Sequence, residues 1–128
     1  MVADKKLGLV EAFKVYGAKL HNPRWAVSSI ATDGAVVISC WENFFQKGMR
    51  YVDTLSRWAD NNPAGRDLLK SHIEQAVRDD LPVRLVIAHW ATSGPRTADY
   101  FHVRPDLVGR ITEFDGDKFI IEFKKKTA

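Results

Sequence analysis

NPAGRDLLKSHIEQAVRDDLPVRLVIAHW, residues 62–90, carries a helix and a strand back to back, and its reading decides the fold. Asn62 can cap the free amides of a helix start, and Pro63 has the φ that the first helical position needs. Leu69, Ile73, Ala76 and Val77 recur at helical spacing as far as Asp79. Pro82 marks the next boundary. Residues 83–90 then hold Leu85, Val86, Ile87 and Ala88 in an unbroken apolar run, the pattern of a strand central in a sheet.

Upstream, residues 24–32 and 35–41 read as two strands, and Asp33-Gly34 between them signals a hairpin because glycine accepts a positive φ. Residues 7–20 read as a first helix. Leu9, Val10, Phe13 and Leu20 form its stripe, Gly17 weakens its last turn, and His21-Asn22-Pro23 breaks it. Residues 43–60, with Phe44, Phe45, Met49, Tyr51, Val52, Leu55 and Trp58, read either as core beneath a loop or as a short helix. Downstream, residues 92–105 read as a loop, and residues 107–114 and 118–124 as a second hairpin around Asp115-Gly116-Asp117. The order helix, two strands, helix, three strands predicts one α+β domain over residues 1–128, with residues 124–128 as a basic tail. Its expected architecture is a mainly antiparallel, curved sheet of about five strands with two or three packed helices.

A chain of 128 residues has the size of one domain, and 45% hydrophobic with 27% charged residues is ordinary globular composition. The one cysteine, Cys40, cannot make an internal disulfide, which fits a reducing compartment. Residues 1–10 lack a signal-peptide pattern and no run approaches a membrane span, so the expected location is cytoplasmic, with no membrane partner. The formal charge of +3 is a mild bias, to which Lys124, Lys125 and Lys126 contribute. It permits an anionic partner without requiring one.

His21, His72, His89 and His102 are scattered and form no metal-binding pattern with Cys40, which sits inside a predicted strand. Phosphate-loop, dinucleotide and serine-hydrolase motifs are missing from the sequence. Pro105-Asp106 followed by Glu122-Phe123-Lys124 resembles the Pro-Asp…Glu-x-Lys signature of restriction-type nucleases. That resemblance implies Asp106 and Glu122 as ligands of Mg²⁺, with no cofactor expected otherwise, and Lys124 as a group orienting the attacking water. The chain stops four residues past Lys124, where that nuclease core normally continues with a helix and a strand. A solvated Glu/Lys strand edge accounts for the same residues.

Four tryptophans are many for this length. Trp25 falls at the start of the first predicted strand, Trp41 at the end of the second and Trp90 at the end of the central one. A hairpin closing at Asp33-Gly34 sets Trp25 near Trp41, so these side chains can rim a pocket that stacks a base, or simply fill the core. Trp58 is expected in the core. Arg24, Arg96 and Arg104 flank the same elements and suit phosphate, and Asn22 suits a base edge.

The runs His21-Asn22-Pro23-Arg24-Trp25, Ser39-Cys40-Trp41 and residues 104–110 resemble small bacterial proteins and nuclease-associated modules. The element order resembles the PUA-like superfamily, which includes EVE, YTH and SRA domains, although no motif specific to any of them is present. That resemblance implies a barrel-like curved sheet whose aromatic pocket reads a modified or unpaired base, with Trp25, Trp41 and Trp90 as pocket positions. The expected function is a non-enzymatic nucleic-acid-binding module in a restriction, defence or phage context. The alternatives are the Mg²⁺-dependent nuclease and a protein-interaction domain that presents residues 44–58 as an exposed aromatic patch.

Overall fold

The computed structural model describes residues 6–58, 62–90 and 98–126, with the backbone alone for Trp90 and Asp99. In chain order the elements are α1 (Leu9–Val15), β1 (Ser28–Ile30), β2 (Val36–Trp41), a 3-10 turn (Glu42–Phe44), β3 (Phe45–Gln46), β4 (Arg50–Thr54), a second 3-10 turn (Leu55–Trp58), α2 (Pro63–Asp79), β5 (Val83–Trp90), β6 (Ala98–Val103), β7 (Leu107–Phe114) and β8 (Lys118–Lys125). This is an α+β fold with an open sheet of eight strands in the order β1-β2-β5-β7-β8-β4-β3, and β6 beside β5. Among the described residues β2 and β5 are the one parallel pair. No helix among them is long and apolar enough to cross a membrane.

The helix and strand of residues 62–90 fall where the sequence places them. The Asn62 side chain accepts the Gly65 amide at 3.0 Å, Pro63 opens α2, and Asp80 ends it in the left-handed region at φ 51°. Leu69, Ile73 and Ala76 are buried, but Val77 is 52% exposed and leaves the predicted stripe. Each fully buried leucine or isoleucine contributes about 1.5–3 kcal/mol. β5 is central: it pairs with β2 on one side, and on the other with β6 along its second half and with β7 at Val83. Alternation sends Val83 and Leu85 into the core beneath α2, with Val36, Ile38 and Cys40 of β2. Val86 points the opposite way, with Val37, into a second core under Ala12 and Phe13 of α1. Helices therefore cover both faces of the β2–β5 pair, and this explains the unbroken apolar run of residues 85–88 in β5.

Several expectations need correction. The sheet has eight strands where about five were expected. The first helix is short because Gly17 turns left-handed at φ 72°, after which Ala18 bridges Ala31. Val10 is 53% exposed, leaving Phe13 and Ala12 as its buried face. The first strand is short because Asn22 folds its successors into a turn, accepting the Trp25 and Ala26 amides at its carbonyl and the Arg24 amide at its side chain. In place of the loop or short helix expected over residues 43–60, of which 59 and 60 lie outside the described residues, residues 42–58 form the β3–β4 hairpin with a 3-10 turn at each end, and Tyr51, Leu55 and Trp58 are buried in the core rather than presented as an exposed patch. Residues 98–103 of the predicted loop form β6.

Both predicted hairpins are present. Gly34 has φ 90° and Gly116 φ 101°, conformations that cost glycine little. Asp33 and Asp115 each accept backbone amides of their own turns through the carboxylate.

Candidate functional site

Because β2 and β5 run parallel and α2 leads into β5, the carboxyl ends of both strands and the amino end of α2 meet at one end of the domain. Crevices at the carboxyl ends of parallel strands are recurrent binding sites in sheets covered by helices. A pocket of about 400 Å³ lies there, within the usual size range for small-ligand sites. Its aromatic walls are Trp25, Trp41, Trp58 and Phe101, and Arg24, Ser39 and Asn62 add polar groups.

The β1–β2 register explains why Trp25 and Trp41 meet. Ser28 faces Ile38, and Val27 still accepts the Ser39 amide at 2.9 Å. Continuing that count sets position 25 opposite position 41, and although the ladder itself has ended, both tryptophans line the same pocket. Asn62 fixes the turn from behind by donating to the Trp25 carbonyl at 2.8 Å while it caps α2. Gly65 permits this approach, since a Cβ there would collide with the Asn62 side chain and the Trp25 carbonyl. Trp41 is held by its amide, which donates to the buried Tyr51 hydroxyl at 3.1 Å. Tyr51 in turn donates to Asp53 at 2.6 Å, and Arg57 pairs with Asp53 through two nitrogens. The Arg57 guanidinium also lies 4.0 Å from the centre of the Trp58 ring, so Trp58 serves both core and pocket.

Of the sequence candidates, Arg24, Trp25 and Trp41 thus share one pocket. Trp90 pairs through its backbone with Ala98 of the pocket lining, while its side chain and Arg96 lie outside the described residues. Asn22 spends its side-chain oxygen on its own turn. Arg104 is outside the pocket lining, forming a two-pronged pair with Asp106 at 2.8 and 2.9 Å that holds the Asp106 carboxyl below its ordinary range.

The Pro-Asp…Glu-x-Lys residues do not assemble. Lys126 donates its amide to the Asp106 carbonyl, whereas Glu122 pairs with Arg110 four positions earlier on β8. At a strand rise of about 3.3 Å per residue that is roughly 13 Å along the strand. Among the described residues no group of three or more His, Cys, Asp or Glu is placed to hold a metal ion. The Mg²⁺ arrangement is therefore not formed by Asp106, Glu122 and Lys124.

Two features escaped the sequence reading. Ser39 lines the pocket, and among the described residues its hydroxyl has no hydrogen-bond partner. On the opposite face of β5 and β6, His89 Nε2 meets His102 Nδ1 at 2.7 Å, Glu42 approaches His89 Nδ1 at 3.2 Å, and Tyr100 stacks on His89 at 4.4 Å. With Glu42 ionised, His89 carries its proton on Nδ1, so His102 donates from Nδ1 and keeps a bare, buried Nε2 without a partner. No local motif announces this cluster, because residues thirteen apart meet only through the β5–β6 pairing.

No protein-family model, no curated protein and no solved structure matches this chain.

Proposed function

We propose that the protein is a nucleic-acid-binding module that takes a single unstacked base, modified or unpaired, into the pocket between Trp25 and Trp41. The observation that carries the reading is the placement of Arg24, Trp25 and Trp41 around one cavity of about 400 Å³. Aromatic walls take up a flat base and offset its unstacking, worth about 1–3 kcal/mol per base. Arg24 is exposed at the pocket lining and supplies a phosphate contact, and Ser39 supplies a hydroxyl for a base edge. The amino end of α2 beside the pocket also favours negative charge.

The test is tryptophan fluorescence titration with single- and double-stranded DNA and RNA, with and without modified bases, at two salt concentrations. The reading expects saturable quenching that weakens with salt. Trp41→Ala in a folded protein is expected to lose about 1–3 kcal/mol of binding. Unchanged affinity in that variant removes the pocket from the interface. Failure of every strand to bind ends the reading and turns attention to a protein partner.

A further inference from the structure

A second cavity, of about 480 Å³, lies next to the first. Val10, Ala18 and Leu20 supply its apolar floor, and Lys14, Lys19 and His21 supply basic groups. Pro23 lines both cavities, so one residue forms the ridge between them. On that ridge the rings of His21 and Trp25, one from each cavity, lie 5.6 Å apart.

Lys14, Lys19, His21 and Arg24 are all exposed. None of the four forms an ion pair among the described residues. Three full positive charges without carboxylate partners among the described residues, spread over two joined cavities, favour an anion at this surface. A sugar has an apolar face and the phosphate beside it a charge, which is the combination that Val10, Leu20, Lys14 and Lys19 offer.

We infer that the second cavity holds the sugar and phosphate of the nucleotide next to the pocketed base, so that the ligand is a polynucleotide strand crossing Pro23 and not a free nucleotide. The inference rests on the base-pocket reading above. It adds direction: the strand leaves the tryptophan pocket toward α1, with Arg24 and the two lysines following its backbone. Two linked sites raise affinity beyond either one alone.

The experiment compares binding of free nucleoside 5′-monophosphates with that of mixed-sequence single-stranded oligonucleotides of two, four and eight nucleotides, and of duplexes containing one mismatch. The probes are DNA and RNA, tested on the full chain and on a variant carrying Lys14→Gln and Lys19→Gln together. The short oligonucleotides are expected to bind about tenfold more tightly than the monophosphates. The gain is expected to be complete by four nucleotides. In the double variant that gain is lost, and the slope of log affinity against log salt falls by about 1.4, the contribution of two phosphate contacts on a single strand. Both lysines are exposed, so the variant is expected to keep its fold, checked by an unchanged melting transition.

Equal affinity for monophosphates and oligonucleotides overturns the inference while leaving the base pocket standing. So does an unchanged salt slope in the double variant. Preference for the mismatched duplex over a single strand, still lost in the double variant, supports the same track with the strand delivered by base flipping. If no probe binds, the base-pocket reading fails and this inference fails with it.

Discussion

Asn62 joins two parts of the protein that are far apart in sequence: its side-chain nitrogen donates to the Trp25 carbonyl at 2.8 Å while its oxygen accepts the Gly65 amide at 3.0 Å. One side chain thus starts α2 and fixes the turn that presents Trp25 to the pocket. Asn62→Ala removes both bonds, and loss of a cap costs about 0.5–2 kcal/mol. Asn62→Asp keeps the cap but replaces the donor facing the Trp25 carbonyl with an acceptor. Urea unfolding is expected to place Asn62→Asp between the wild type and Asn62→Ala. Equal stability of Asn62→Asp and the wild type would show that the Trp25 bond contributes nothing.

Gly65 stands inside the same contact. In a helix interior, alanine is usually better than glycine by about 1 kcal/mol. Here a Cβ would meet the Asn62 side chain and the Trp25 carbonyl, which is backbone and cannot easily give way. Gly65→Ala is therefore expected to destabilise the protein, with the Trp25 emission shifting as its turn is displaced. A gain in stability in thermal melts would contradict the close approach.

How far the sequence could be read follows from the kind of signal each element carries. α2 and β5 were legible because a cap, a proline and two periodicities agree over residues 62–90. The meeting of Trp25 and Trp41 was legible as arithmetic, since a hairpin centred near Asp33-Gly34 fixes which positions oppose each other. The β3–β4 hairpin was not, because its turn at Lys47-Gly48-Met49 lies among aromatic residues that suit strand or helix equally. β6 was hidden for a different reason: Tyr100 and His102 face one way and Phe101 and Val103 the other, but the flanking glycine and prolines outweigh that alternation. The roles of Asn62 as a clamp on Trp25 and of Tyr51 as a support for Trp41 depend on tertiary contacts that no local pattern encodes.

Tyr51 ties the pocket to the core. Its hydroxyl accepts the Trp41 amide and donates to Asp53, and burial pushes its own ionisation well above the ordinary range. Tyr51→Phe keeps the ring in place and deletes both bonds. Disrupting such a buried network costs about 1–3 kcal/mol. Denaturant unfolding checks the loss, and weaker binding with an otherwise folded protein would show that Trp41 needs this support. Unchanged stability would mean that the network does not hold the strand.

Cys40 faces the core under α2, and burial, followed by the nearby Asp53 charge, raises its thiol well above the ordinary range. A thiol in that state is neither a ready nucleophile nor an accessible one. A thiol-specific disulfide reagent at pH 8 is expected to label it only as fast as the protein opens, and to reach one equivalent once the protein is unfolded. Rapid labelling of the native protein would refute its burial.

Acid is expected to weaken the fold in two separate windows. Burial lowers the pKa of both His89 and His72 below 6.5, and the neighbouring His102 and Lys6 lower that of His89 further, against an opposing pull from Glu42. The unfolded chain therefore takes up these protons before the folded one does. Stability from this source is complete above about pH 6.5 and is lost as the pH falls through the lowered folded values. The second window belongs to Asp106 and Asp115, which hydrogen bonds hold below 3.8, so their contribution persists above that pH and disappears beneath it. Urea midpoints between pH 7.5 and 5 check the first window. His89→Gln and His72→Asn are each expected to flatten the decline, because neither replacement takes up a proton in that range. A decline unchanged when both are replaced would place its origin elsewhere in the molecule.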